Sequence, residues 1–575
     1  MDDVNKKDII KLLEEIAIYL ELKGENPFKI AAYRKAAQAL ETDERALSEI
    51  DDVTKIKGIG KGTGEVIIEY IDKHESTVLE ELKEEVPAGL IPLLEIQGLG
   101  GKKLAKLYQE LGVTDQASLQ QACEDGNVQA LAGFGKKTEE KILAGIKAHG
   151  TQPERLAFDD VLAVKQELND YLSQIEAIQR FALAGSMRRM RETVKDLDYI
   201  ISTDSPNEVK KQVLKLSGIK EVVASGDTKI SIVLARDYDI SVDFRLVEDV
   251  AFATTLHHFT GSKNHNVKMR QLAKARGEKI SEYGVEVLET GQLLTFASEQ
   301  SFFNHFGLPY IPPELREDQG EVETYSGDEA LVELSDIRGD LHMHSTWSDG
   351  AQSIEEMVQF ALEKGYQYIA ITDHSKFLRV ANGLNESRLR KQRKEIERLR
   401  LDYPDIEILA GVEMDILPDG SLDFDDDFLK ELDYVIGAIH SSFNQSEEVI
   451  MKRLFTAMEN PYVKHIAHPT GRIIGKRTGY AVAIEALIEK AVATNTILEL
   501  NANPKRFDLN SEQLKLAQTR GAKIVINTDA HSKKTLDFMT EGVGVARRGW
   551  IKKDTVVNTW SLEELRKFWQ RKAEK

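Results

Sequence analysis

The apolar positions of this chain change character twice. Over residues 1–150 they recur every three to four positions, as in ENPFKIAAYRKAAQAL, where Lys29, Arg34 and Lys35 stand among apolar residues; this spacing predicts amphipathic helices. Between 151 and 250 a leading helix, LAFDDVLAVKQELNDYL, gives way to strand-like runs such as FALAG, LDYII and ISVDFRL. From Ile337 short apolar runs alternate with amphipathic helices, the pattern of a βα-repeating fold. Seven runs qualify as strands: RGDLHMHS, YQYIAITDHS, IEILAGVEMDI, YVIGAIHSSF, VKHIAHPTG, TILELNANP and AKIVINTDAHS. Before them, FGLPYIPPELRE is proline-rich, and the acidic EDQGEVETYSGDEALVELSD reads as a linker.

A chain of 575 residues is too long for one hydrophobic core and predicts several domains. The single cysteine, Cys123, excludes an internal disulfide and suits a reducing compartment. The start, MDDVNKKDIIKLLEEI, is acidic and amphipathic, unlike a secretory signal, and no apolar run approaches the ~20 residues of a membrane helix. The expected location is cytoplasmic, without membrane association. The net charge of −20 opposes nucleic-acid binding by bulk electrostatics, and residues 1–316 hold 41 basic against 52 acidic residues. Any such contact must come from local patches and backbone amides.

One source of such amides is visible. In IKGIGKGTGEVIIEYI, Gly58 and Gly60 form a tight turn between helices, followed by Lys61. The turn recurs at Gly98 and Gly100, before Lys102 and Lys103, and more loosely at Gly133 and Gly135, before Lys136 and Lys137. Glycine permits positive φ and leaves N–H groups free to meet a phosphate. One such turn serves equally as a plain helix connection. Three copies trailed by lysines favour helix-hairpin-helix modules that hold a backbone without reading its sequence.

Two clusters carry the chemistry. In FALAGSMRRMRETVKDLDYII, Asp196 and Asp198 are two apart on a strand and project from one face, with Leu197 turned inward. Asp243, in ISVDFRL, supplies a third carboxylate. Acids this close repel unless a cation lies between them, and hard cations take oxygen ligands with phosphate completing the shell. Gly185-Ser186 allows close approach to a phosphate, which Arg189 can neutralise. In the second half His342, His344, Asp349, His374, Glu413, His440, His468, Asp529 and His531 stand at strand ends, six of the chain's 13 histidines among them. The C-terminal face of a βα-barrel is where active sites are built. Imidazole mixed with carboxylate suits Zn²⁺, Mn²⁺ or Fe²⁺. A lone histidine is usually a satisfied strand-end residue; nine such residues at equivalent ends are not.

GSMRR, DLDYI and VDFRL, followed by HHFTGSKNHNVKMR, resemble the palm and thumb of family X DNA polymerases. The resemblance implies that Asp196, Asp198 and Asp243 hold Mg²⁺ or Mn²⁺ and that Gly185, Ser186 and Arg189 grip the triphosphate. His258, Phe259, Gly261 and Asn266 would line the nucleotide, and Arg270 would lie near the template. His258 stands where the family has tyrosine. The first module resembles the family's small N-terminal domain. There Lys29, Tyr33 and the amides at Gly58, Gly60, Gly98 and Gly100 would hold DNA, while Val66 replaces the Schiff-base lysine of 5′-deoxyribose-phosphate removal. The second half resembles the PHP domain, a distorted seven-stranded barrel. That implies up to three Mn²⁺, Zn²⁺ or Fe²⁺ ions: one on His342, His344, Glu413 and Asp529, a second on Glu413, His440 and His468, a third on Asp349, His374 and His531. Arg472 would meet substrate phosphate, and Asp373 would support rather than ligate.

The fold class expected is therefore multidomain: all-α helix-hairpin-helix modules (1–88 and 89–150), an α+β nucleotidyltransferase palm (151–250), a thumb (251–316), a linker (317–335) and a distorted (β/α)7 PHP barrel (336–575). The implied activity is short-gap filling in base excision repair, acting as a monomer on gapped or primer-template DNA with dNTPs in the cytoplasm, at the nucleoid. A 3′–5′ exonuclease, or abasic-site cleavage, would reside in the barrel. Two rivals are a small-molecule phosphatase in the barrel and a DNA-binding scaffold with spent centres.

Overall fold

The computed structural model describes residues 6–43, 47, 50, 52–96, 99–149 and 153–573. They form two compact units. One comprises residues 1–152 with 344–357 and 373–399; the other comprises 153–343, 358–372 and 400–575.

In the first unit the helices Lys6–Lys23, Pro27–Thr42, Lys61–Lys73, Gly101–Leu111 and Lys136–His149 enclose one apolar core running from Ile9 to Ile146. The segments expected as 1–88 and 89–150 thus share an interior. Pro27–Thr42 begins where Asn26 Oδ1 accepts the Phe28 N–H at 2.9 Å, with proline at the first helical position, whose missing N–H costs nothing there. Gly58 has φ +119°, and a Cβ on it would stand 3.0 Å from the Ala39 methyl, so this turn lies close against helix Pro27–Thr42 only because glycine is there.

The second unit opens with a five-stranded sheet. Its strands are β1 (Arg180–Leu183), β2 (Asp196–Ser202), β3 (Ile219–Ser225), β4 (Lys229–Ala235) and β5 (Asp239–Val247), in spatial order β1-β2-β5-β4-β3. Only β2 and β5 run parallel. Helices Phe252–Thr260 and Lys263–Ala275 follow and pack around Phe302 and Phe303. The stretch expected as a linker is anchored to the fold at its start and largely exposed beyond it. Glu321 is fully buried and accepts from His265 Nδ1 at 2.8 Å, and Glu317 is ion-paired to three arginines, because these acids find cationic or N–H partners inside the fold.

The remaining sheet is the seven-stranded barrel: β6 (Gly339–Met343), β7 (Tyr368–Ile371), β8 (Glu407–Asp415), β9 (Tyr434–Ala438), β10 (Val463–Ile466), β11 (Ile497–Asn501) and β12 (Ile524–Asn527), parallel and in sequential order. A parallel bridge between Met343 and Ala530 nearly closes it. The strands are buried almost throughout, as parallel strands covered on both faces must be. Tyr368 and Tyr434 lie in its core with Leu565 and Trp569 of the final helix, Leu562–Ala573.

Candidate active sites

On β2 the side chains of Asp196 and Asp198 are partly exposed and Leu197 is fully buried, the alternation a strand imposes. Asp198 lies directly opposite Asp243 on β5. Burial, then the charges of Asp196 and Asp243, push the Asp198 carboxyl up to about 7; burial and Asp243 raise Asp196. Lys229 bonds Asp243 at 2.8 Å. Such a cluster is electrostatically short of positive charge, which is what a divalent cation supplies.

Gly185 opens the short helix Gly185–Arg188 at φ +65°, and a Cβ there would collide with the Asp198 carboxylate. A cavity of about 440 Å³ is lined by Gly185, Ser186, Arg189, Asp196, Asp198, His258, Phe259, Gly261, Asn266 and Arg270. All the expected nucleotide-binding residues, with Arg270, thus face one space. Arg155, Lys195 and Lys263 join them and were not foreseen. Asn266 donates to the His258 carbonyl at 2.8 Å, and the Arg245 guanidinium lies 4.5 Å from the Phe259 ring centre. Arg189 is less available than expected: its Nε donates to Glu317 at 2.9 Å and its Nη1 to the Thr260 carbonyl.

Among the expected DNA contacts, Lys29 is exposed, with Glu25 at 3.8 Å. Tyr33 is 7% exposed and part of the helical core, its ring filling the interior that the amphipathic spacing demands. The Gly60 N–H is taken by Thr63 Oγ1 at 3.0 Å. That leaves the next amides of helix Lys61–Lys73 to face outward. Gly100 stands in the same position before Gly101–Leu111; Gly98 lies outside the described residues. Val66 is buried, so no amine could stand there in contact with solvent.

In the barrel, Glu413 is fully buried near the end of β8. Its Oε1 is 3.0 Å from His468 Nε2 and 3.2 Å from His440 Nε2, and its Oε2 is 3.4 Å from His342 Nε2. His342 Nε2 is also 3.4 Å from Asp529 Oδ1. One carboxylate thus touches three imidazoles, as a bridging ligand would. Burial alone would keep His342 neutral, but the carboxylates of Asp529, Glu499 and Glu413 carry its pKa well above the ordinary value. Glu413 and Asp415, overcoming burial, raise His440 to about 10. The donor set and its surplus of negative charge fit transition-metal ions. His531 Nδ1 donates to the Asp529 carbonyl at 2.9 Å.

In the other unit, His344 directly follows β6 and His374 stands three residues past β7. Their rings stack at 4.3 Å, and His374 Nε2 is 3.6 Å from Asp349 Oδ1. Asp373 accepts from the N–H and hydroxyl of Ser345 and Ser348 and from Gln392. It is saturated and holds this loop in place.

Family models match at four places: a helix-hairpin-helix domain over residues 4–76, a SAM-like helix-hairpin-helix tandem over 90–148, the DNA polymerase beta thumb over 255–317 and the PHP domain over 340–503. The DNA polymerase/3′-5′ exonuclease PolX of Bacillus subtilis (strain 168) is 60% identical over 568 residues, covering 99% of this chain and 100% of that protein. The chain belongs to the bacterial family X DNA polymerases with a C-terminal PHP domain. Two partial relatives flank this family-wide match. A probable phosphatase of Thermoanaerobacter sp. (strain X514) is 32% identical over 232 residues, 38% of this chain and 89% of that one. Rat DNA polymerase lambda is 23% identical over 336 residues, 54% of this chain and 56% of its own.

In the barrel of this family X chain, one residue escaped the reading of its sequence. Glu499, on β11, is fully buried: its Oε1 accepts from His342 Nδ1 at 2.7 Å and from Asn527 Nδ2 at 3.1 Å, and its Oε2 accepts the His468 N–H at 2.6 Å. It sets the orientation of His342 and the tautomer that presents Nε2 to Glu413. An acid inside the apolar run ILELN was the available signal. Arg472 was expected to meet a substrate phosphate. Its guanidinium is engaged bidentately by Glu192, in the turn after Arg188, at 2.6 and 3.0 Å and by the Phe507 carbonyl.

Proposed function

We propose that the chain is a DNA-directed DNA polymerase filling short gaps during repair, with a metal-dependent 3′–5′ exonuclease in its PHP barrel. The observation that carries the reading is the placing of Asp198 opposite Asp243 on parallel strands, behind a cavity rich in Arg and Lys. In the polymerase site Asp196, Asp198 and Asp243 would hold Mg²⁺ or Mn²⁺, which would neutralise charge developing on the transferred phosphoryl group. The chain's own part is positional. Gly185 and Ser186 bring backbone close to the triphosphate, Arg189, Lys195 and Lys263 oppose its charge, and Phe259 and Asn266 border the sugar and base. In the barrel His342, His344, Glu413 and Asp529, then His440 and His468, then Asp349, His374 and His531 would hold up to three Mn²⁺, Zn²⁺ or Fe²⁺ ions. Bound there, such ions lower the pKa of water and supply a nucleophile for phosphoester hydrolysis. Glu499 and Asp415 orient the imidazoles.

DNA would be held by Lys29, Arg270 and the amides after Gly60 and Gly100, as a monomer in the cytoplasm, with abasic-site cleavage a further use of the barrel. Among the described residues no helix is long and apolar enough to cross a membrane. Primer extension and 3′ trimming on gapped DNA test the assignment. Asp196→Ala with Asp198→Ala is expected to abolish extension and spare trimming, and His342→Ala with His344→Ala to do the reverse. Either pair retaining the activity assigned to it refutes the reading. The likeness to a probable phosphatase favours, as a second reading, hydrolysis of small phosphomonoesters by the barrel; turnover of histidinol phosphate against a DNA 3′ end separates the two.

A further inference from the structure

The turn Arg188–Glu192 runs from the nucleotide cavity back towards β2, and two arginines from the barrel half of the same unit grip it. Glu192 is held bidentately by Arg472, four residues after His468, and its carbonyl accepts the Phe158 N–H at 2.9 Å. Met190 takes φ +55° and lies against Gly544, where a Cβ would come 2.8 Å from its Cγ. Arg548, one turn beyond Gly544 on the helix Met539–Arg548, donates to the Arg189 carbonyl at 3.0 Å and to Glu317 Oε1 at 2.8 Å. That same oxygen accepts from Arg189 Nε. Glu317 and Arg548 are nearly buried, 14% and 11% exposed, so water screens their charges weakly.

Arg189 and Arg548 therefore share one carboxylate oxygen, Glu317 Oε1, while Arg191 lies 3.9 Å from the other, Oε2; of the three only Arg189 lines the nucleotide cavity. With Arg548 in place, the charge of Glu317 is divided and part of the Arg189 field remains for a phosphate. Without it, Glu317 Oε1 is left to Arg189, with only the more exposed Arg191 at 3.9 Å from Oε2, and a triphosphate meets an Arg189 whose charge is more fully cancelled.

We propose that Arg548 and Arg472 are positioning residues for the polymerase pocket: they fix the turn carrying Arg189 and keep Arg189 electrically available to the incoming nucleotide. The proposal rests on the polymerase reading above. It makes the barrel half a structural component of dNTP binding, independently of its own chemistry.

The test is single-nucleotide gap filling by the full chain, with KM for dNTP and kcat measured separately. Arg548→Gln is expected to raise KM about ten-fold while kcat stays within about three-fold, the signature of lost binding rather than lost chemistry. Adding Glu317→Gln removes the carboxylate that captures Arg189, so the double variant is expected to recover most of that KM loss. A merely structural role predicts that the double variant is worse than the single. For Arg472 the charge-reversed pair Glu192→Arg with Arg472→Glu is expected to outperform Arg472→Glu alone. If Arg548→Gln melts below the assay temperature, Arg548→Lys, which keeps charge but not the fork, is expected to raise KM about three-fold. Unchanged KM in the folded Arg548 variant, or no recovery in the double, overturns the proposal. A wild-type chain that extends no primer at any dNTP concentration would instead sink the polymerase reading itself.

Discussion

Glu499→Gln changes one atom and isolates what the barrel's buried acid does. The carboxylate accepts from His342 and Asn527 on Oε1 and from the His468 N–H on Oε2. A carboxamide cannot satisfy both sides. If its NH₂ faces the His468 N–H, two donors meet; if it faces His342, both Oε1 bonds are lost and the His342 tautomer that presents Nε2 to Glu413 is no longer favoured. The lesser of these costs is one charge-assisted hydrogen bond in a buried place, about 1.5–3 kcal/mol. Expressed on the transition state, that is roughly a ten- to hundred-fold fall in kcat/KM for 3′ trimming. Expressed on stability, about 2 kcal/mol in a domain of this size lowers its melting midpoint by about 4–8 °C. Loss of such a supporting bond also weakens metal binding about ten- to hundred-fold. The assays are 3′ trimming, metal stoichiometry after dialysis against a weak chelator, and primer extension as the control, which is expected to be unchanged. Wild-type trimming together with wild-type metal retention would refute the argument that Glu499 orients the imidazoles.

Gly185→Ala places a methyl against the Asp198 carboxylate at φ +65°, at a backbone cost of about 1–2 kcal/mol before the clash is counted; gap filling is expected to fall at least ten-fold with trimming unchanged. Tyr33→Phe, at a buried position, is expected to leave the affinity for a 5′-phosphorylated gap unchanged by fluorescence anisotropy, whereas Lys29→Ala lowers it and flattens its salt dependence. Burial, aided by Lys464, pushes the Lys572 ammonium down to about 7, while the unfolded chain keeps the ordinary 10.5. Between those pH values the unfolded state holds more protons, so this residue's contribution to stability is full above pH 10.5 and is lost as pH falls to 7. Lys572→Met should therefore gain on wild type by about 2 kcal/mol or more near pH 7 relative to pH 10 in chemical denaturation, and equal gains at both would contradict the assignment.

The barrel was the most readable part of the chain because a parallel strand buried on both faces leaves a nearly uninterrupted apolar run. Any acid or imidazole at its end then stands out, as His342, Glu413 and Asp529 do. Glu499 went unnoticed because it lies within such a run rather than after it, and its purpose, holding His342, depends on β11 meeting the other strands in space. The palm acids were readable from the two-residue period. The partners of the arginines were not readable, since a guanidinium's partner is set by tertiary packing: Arg472 found Glu192 and Arg189 found Glu317, each more than one hundred residues away. The anchoring of the linker's start has a related origin. Acidic, glycine-containing stretches normally stay solvated, but Glu317 and Glu321 were drawn inward by Arg189, Arg548 and His265.

These same pairings bear on how so acidic a chain holds a polyanion. A net charge of −20 gives no long-range attraction, so binding energy must arise where local positive charge is left over after internal pairing. Many of the chain's arginines are consumed internally, as the buried Arg188–Glu299–Arg316 group illustrates. What remains around the polymerase cavity is Arg155, Lys195, Lys263 and Arg270, with Arg189 only in the share that Glu317 leaves it. Each uncompensated cation therefore matters more than it would on a basic protein. The helix-hairpin-helix amides, which carry no net charge to be cancelled, supply the grip that the composition withholds. If that is the division of labour, the logarithm of DNA affinity should fall with the logarithm of salt concentration by a slope corresponding to only a few released counterions; a slope as steep as that of a protein with ten phosphate contacts would show that a basic surface does the holding.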